Sequence, residues 1–170
     1  STHRKADFRG IISQDGKTIT ASVIQYFHPD DLPARFVCFY PKPDTLRNGI
    51  ASYTLDGSQN IIYAPVANAG TLYAPNPDFG FNFRYKLSRL HVVVSLSQEK
   101  AIAEDIVLLS LGVLTYNKLQ LKLDGPLAGQ LHVAEDAKKV LLPIRDDSGA
   151  IVRSINPSKN AVDCGSVYVY

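Results

Sequence analysis

This chain of 170 residues is poor in cysteine, nearly balanced in charge and free of any long apolar run. Each shortage excludes a class of protein. Cys38 and Cys164 are the only cysteines, far apart and outside any CxxC or mixed Cys/His spacing, so a disulfide scaffold and a zinc module are excluded. The pair reads as two small buried apolar side chains, with one disulfide in an oxidising compartment as the alternative. Lys and Arg number 18 against 16 Asp and Glu, a formal charge of +2, which gives no default nucleic-acid or polybasic membrane surface. No stretch reaches the roughly 20 apolar residues of a membrane-spanning helix. There is no internal repeat and no low-complexity tract, so collagen, coiled coil and disorder are set aside. The first residue is Ser1. The natural start is therefore expected to have been removed, and an export signal or lipid anchor would lie upstream.

What is present suits one globular domain: 45% hydrophobic and 20% charged residues in 18.7 kDa. A chain this long hides about 70% of its unfolded surface without metal or disulfide staples.

The dominant local signal is period two. In residues 79–87, Phe79, Phe81, Phe83, Tyr85 and Leu87 alternate with Gly80, Asn82, Arg84 and Lys86, which predicts a strand with an aromatic face. Leu90, Val92, Val94 and Leu96 follow in the same rhythm. Leu119, Leu121 and Leu123 alternate with Gln120 and Lys122; Leu131 and Val133 flank His132; Ile19, Ala21 and Val23 alternate with Thr20 and Ser22. Residues 36–40 (FVCFY) are apolar on both faces, which predicts a central strand covered twice. Asp15-Gly16 predicts a hairpin, and Asp124-Gly125-Pro126 and Asp147-Ser148-Gly149 predict turns. Residues 41–48 (PKPDTLRN) predict a loop, and residues 64–78, with Pro65, Pro75 and Pro77, a long surface connection. Residues 98–111 predict a short turn or helix followed by a strand. Short strands, frequent turns and little helix predict an all-β, antiparallel Greek-key β-sandwich of the transthyretin-like kind. One sandwich over residues 1–170 is expected; the alternative ends it at 125 and begins an incomplete second domain at 126–170.

Signatures of catalysis are sparse. His3, His28, His91 and His132 lack metal-ligand spacing; His28 with Asp30 and Asp31 reads as a polar loop around Pro29, and His91 and His132 as solvent-facing or hydrogen-bonded imidazoles. The pairs Glu104/Asp105, Glu135/Asp136 and Asp146/Asp147 lack a calcium-loop pattern and read as surface and turn carboxylates. GxSxG, phosphate-loop and GxGxxG motifs are absent. Cys38 sits in an apolar strand without a local base, which argues against a nucleophile. No catalytic residue, metal or cofactor is expected. Of the nine tyrosines, Tyr63 and Tyr73 bracket the proline-rich stretch and are candidate stacking platforms for sugar rings.

Three segments carry a family resemblance: residues 36–41 (FVCFYP), residues 53–64 (YTLDGSQNIIYA) and residues 79–94 (FGFNFRYKLSRLHVVV). In this order they resemble the fimbrillin-like proteins of the Bacteroidetes, the pilins and accessory subunits of type V pili. FRYKLSRL is the most specific element; Tyr85 stands where the family often has His, and Asn60 where it often has Asp. The resemblance spans roughly residues 35–133. It implies export as a lipoprotein to the outer membrane, arginine-specific trimming, and assembly in which an extended segment of another pilin subunit fills an apolar groove. Adhesion to a host or bacterial surface ligand is the implied role. Under that resemblance Arg4 and Arg9 are candidate processing sites. The β-prone tail holds Val167, Tyr168, Val169 and Tyr170, a candidate donor strand, with the last strand of this domain as the preferred reading. Family members are longer and have two sandwich domains, which argues against a stalk role and leaves anchor, tip or solitary surface lipoprotein as the implied alternatives. A carbohydrate-binding module is the second expectation. A hydrolase assembled from distant residues is the third.

Overall fold

The computed structural model describes residues 6–95, 107–142, 144–145, 150–152 and 162–170. Within them the chain is all-β, with antiparallel pairing and no helix. In chain order the strands begin β1 (Gly10–Ile12), β2 (Ile19–Ala21), β3 (Arg35–Tyr40), β4 (Thr45–Arg47) and β5 (Ile50–Thr54). Next are β6 (Ile62–Asn68), β7 (Arg84–Tyr85), β8 (Ser88–Val94), β9 (Leu111–Thr115) and β10 (Lys118–Lys122). The last are β11 (Leu131–Val133), β12 (Lys138–Leu142), β13 (Ile144–Arg145), β14 (Ile151–Val152) and β15 (Val162–Val169). No helix among these residues is long and apolar enough to cross a membrane.

The chain divides into two compact units, residues 1–36 with 68–79, and residues 37–67 with 80–170. In the first, β1 and β2 form the hairpin predicted at Asp15-Gly16, registered from Gly10↔Ala21 to Ile12↔Ile19. Gly16 has a φ of 71°, and the Asp15 carboxylate holds the turn by accepting from Ser13 Oγ and Lys17 N. Phe36 stacks on Phe79 at 5.5 Å and 13°, and Phe8 meets Phe36 edge-on. Residues 68–79 are tied back by Ala34 N–H to Gly70 O (2.8 Å) and Ala69 N–H to Ala34 O (2.9 Å).

In the second unit a four-stranded sheet runs β11-β10-β5-β4; a three-stranded sheet runs β3-β6-β7, all of it in this unit except Arg35, Phe36 and Asn68. Leucines at alternate positions of β10 are the reason for its place: Leu119 and Leu121 are fully buried while Gln120 and Lys122 turn away. Opposite them across the ladder stand Tyr53 and Ala51 of β5. Val37, Phe39 and Tyr63 from the other sheet close on this layer, which is sandwich packing. Each buried leucine contributes about 1.5–3 kcal/mol. A second cluster joins Val140 and Leu142 of β12, Leu111 and Val113 of β9, Val92 of β8 and Val167 and Val169 of β15. β9 pairs with β12, and β15 with β8.

Four expectations are corrected. Residues 41–48 are not all loop, since Thr45–Arg47 form β4 and pair with β5. The aromatic ribbon is not one strand: only Arg84–Tyr85 pair, Phe81 and Phe83 are half-buried, and Tyr85 is 78% exposed. The reason is Pro65. Ile61 accepts the Lys86 N–H and Tyr63 faces Arg84, so the next bonded position sets Pro65, which has no N–H, opposite Asn82. Residues 64–68 are not a surface connection but the continuation of β6, with Ala64 and Ala67 buried. Pro65 is tolerated there because β7 has ended and that side of β6 is an edge. Finally, β3 is not central: among the described residues it ends its sheet. Of the segment 98–111, residues 98–106 lie outside the described residues, as does Asp147-Ser148-Gly149, although the flanking β13 and β14 pair.

Candidate functional site: a strand edge and a corner cleft

The first feature is the outer edge of β3. Its six residues (RFVCFY) contain no proline, and Arg35 is their one charge. Val37 and Phe39 point to the core, while Tyr40, on the other phase, is 53% exposed. No described strand pairs with that edge. It lacks the interior proline and inward charge that usually blunt exposed edges, so it presents main-chain donors and acceptors to an incoming strand.

The expected site residues fall in different surroundings. Arg4 lies outside the described residues. Arg9 is exposed at the entry to β1, its N–H donating to Ser22 Oγ and its carbonyl accepting from Ser22 N. Val167, Tyr168 and Val169 belong to β15: Val167 is buried in the second cluster and Tyr168 packs on the first. Tyr168 N–H also donates to Gly57 O at 2.8 Å. Donation of this strand to another molecule would require stripping it from β8. Tyr63, the first candidate stacking residue, is 3% exposed, its ring beneath Gly129 and Lys86 Nζ 5.3 Å from the ring centroid. Tyr73 is 79% exposed, its N–H donating to Asp31 Oδ1. Hydrogen bonds from the Thr71 hydroxyl and the Tyr73 amide hold the Asp31 carboxyl below its ordinary range.

The second feature is a cleft of about 670 Å³ lined by Tyr116, Val133, Ala134, Glu135, Asp136, Ala137 and Lys138. Two connections build it. Tyr116-Asn117 turns from β9 into β10, and residues 134–137 lead from β11 to β12; both pass between the same two sheets. Ala134 N–H donates to Lys118 O (2.9 Å) and binds the two connections together. Glu135 accepts from Lys118 Nζ and lies 3.5 Å from Lys138 Nζ. The Lys118 hydrogen bond, followed by the charges of both lysines, holds the Glu135 carboxyl below its ordinary range. A second cleft of about 610 Å³ borders the other side of Asn117, with Asp56, Ser58 and Lys139 in its lining.

A third arrangement lies on β8 and β15. His91 Nδ1 is 3.0 Å from Ser166 Oγ, and its Nε2 is 3.5 Å from Asp163 Oδ1. The bulge between Asp163 and Ser166, with Gly165 at φ 85°, brings them together. These are the residue types of a nucleophile, base and orienter. However, His91 and Asp163 are 51% and 66% exposed, and neither cleft contains the three. Water competes for each group, so the arrangement reads as a polar clasp across the bulge. His28 bonds within its own loop, Nδ1 accepting from Asp30 N. No group of three or more His, Cys, Asp or Glu converges as a metal site among the described residues. Cys38 is a half-buried thiol and Cys164 is buried, and no disulfide joins them. Burial raises both thiols, with the Asp163 charge adding to it at Cys164.

Sequence reasoning treated Glu135/Asp136 as solvated carboxylates and passed over Tyr116. A tyrosine in a two-residue link carries no periodic signal, and only the crossing of two sheets places it beside residues 133–138. The chain matches no family model, no curated protein and no solved structure.

Proposed function

We propose that this chain is a non-enzymatic, cell-surface assembly protein of the fimbrillin-like kind, which takes an extended segment of another subunit onto the edge of β3. The observation that supports this reading is the six-residue edge strand, apolar apart from Arg35, whose outer side has no described partner. Main-chain hydrogen bonds would supply affinity, and alternate side chains would supply register. The resemblance of residues 36–41, 53–64 and 79–94 adds the family context, with export, lipid anchoring and adhesion as its implied setting.

The test is mild trypsin treatment of the purified chain followed by size analysis. Protease-dependent ladders of multimers are expected. Tyr40→Lys, which charges the edge, is expected to suppress them while leaving the monomer folded. Persistent monomers in the unsubstituted chain, or ladders indifferent to Tyr40→Lys, would count against strand addition at β3.

A further inference from the structure

We propose that the cleft between the β9–β10 and β11–β12 connections binds a neutral oligosaccharide, with Tyr116 as the stacking platform and Glu135 and Asp136 as acceptors for sugar hydroxyls. This does not depend on strand addition, because every residue involved lies within one unit of one chain.

Shape is the first argument. A volume of about 670 Å³ lies within the range of small-molecule sites, about 300–1,000 Å³. It is an open trough at a corner of two sheets, the form that accommodates a chain of rings entering and leaving along the surface. Val133, Ala134 and Ala137 form its apolar share beside the Tyr116 ring.

Rigidity is the second. Tyr116 is fixed from both sides: Thr115 Oγ1 accepts from Tyr170 N at 3.1 Å, and Asn117 O accepts from Leu55 N at 2.8 Å. Tyr170 stands edge-on to the Tyr116 ring, with centroids 6.2 Å apart at 76°. It is anchored in turn by its hydroxyl, which donates to Leu131 O at 3.2 Å. Tyr116 is 40% exposed in spite of these supports. An aromatic face held in advance loses little conformational freedom when an apolar sugar face settles on it.

Charge is the third, and it selects the ligand. Glu135 lies 3.5 Å from Lys138 Nζ and is bonded by Lys118 from beside the cleft, and Asp136 lines the same cleft. Two carboxylates against two ammonium groups leave no net charge, so an anionic or cationic ligand gains nothing overall. Hydroxyl pairs, by contrast, find charged acceptors and a charged donor within one trough.

The probe is a printed array of neutral oligosaccharides, followed by saturation-transfer NMR on any sugar retained. Wild type is expected to bind, and Tyr116→Ala to weaken binding about tenfold or more. Tyr116→Phe, which keeps the ring, is expected to retain it. Ala134→Trp, which fills the trough from an exposed position, is expected to abolish it. Tyr73→Ala is expected to change nothing. Circular dichroism of each variant separates lost binding from lost fold. A folded wild type that binds no sugar on the array overturns the proposal. So does binding that survives both Tyr116→Ala and Ala134→Trp, or that follows Tyr73 instead.

Discussion

Gly57 lies directly against Val167. A methyl group on its α-carbon would overlap Cγ2 of Val167 and crowd Cγ1 of Val140 at 2.9 Å. The residue also has a φ of 87°, and its carbonyl accepts the Tyr168 N–H. The LDG segment thus turns sharply because β15 passes over it at backbone distance.

Gly57→Ala is therefore expected to cost about 2–4 kcal/mol, overpacking added to left-handed backbone strain. Gly125→Ala is the control, since Gly125 has a φ of 75° but nothing near its Cβ position. It should lose only the backbone share. Urea unfolding of both variants gives the difference. Equal losses would mean that the approach of β15 is not what fixes this glycine.

Asn60 bonds both main-chain groups of Leu87: Oδ1 accepts from Leu87 N at 3.0 Å, and Nδ2 donates to Leu87 O at 3.3 Å. Asn60→Ala leaves both without that partner, at a cost of about 1–3 kcal/mol. Asn60→Asp keeps the acceptor for the Leu87 N–H but loses the donor to the Leu87 carbonyl, so it too is expected to cost stability, measured by urea unfolding beside Asn60→Ala.

Tyr53 and Leu119 share one core layer but should respond in opposite directions. The Tyr53 hydroxyl is buried with no partner among the described residues. Tyr53→Phe should be neutral or stabilising by up to about 1 kcal/mol, whereas Leu119→Ala should lose about 2–5 kcal/mol. Burial also raises the Tyr53 phenol above its ordinary 10.0. A raised folded pKa gives stability that is complete below the unfolded value and lost as pH climbs through the folded one. Wild type should thus weaken more steeply than Tyr53→Phe above pH 10.0.

Glu135 should titrate below its ordinary 4.5, chiefly because Lys118 hydrogen-bonds it. A depressed folded pKa contributes stability above the unfolded value and loses it as pH falls through the folded one. Carboxyl NMR should show the midpoint below 4.5 and, in Lys118→Ala, a midpoint moved upward. An unmoved midpoint would show that the Lys118 bond does not hold the carboxylate at the edge of the cleft.

Cys38 and Cys164 should differ in reactivity. Burial raises both thiols, but Cys38 is half-buried and Cys164 is 1% exposed. At neutral pH an aromatic disulfide reagent should label Cys38 slowly, and Cys38→Ser should remove that phase. Labelling of Cys164 should await denaturant.

Strand character and part of the core were legible in the order of residues alone. Leu119, Leu121 and Leu123 fall on one face because side chains alternate in any extended strand, whatever its neighbours. The Asp15-Gly16 hairpin was likewise a local decision of turn chemistry. Tertiary structure decided which strands are partners and where they stop. Phe81 and Phe83 had the right rhythm for a strand, but the opposing position belongs to Pro65, more than fifteen residues away in sequence. The apolar run of β3 announced burial, yet sheet order left it at an edge. Tyr63 and Tyr116 looked alike as tyrosines; one is sealed under Gly129 and the other stands in a cleft, because burial depends on which loops cross above a residue. Periodicity is a property of a few consecutive residues, whereas pairing, edges and clefts arise from contacts between distant ones.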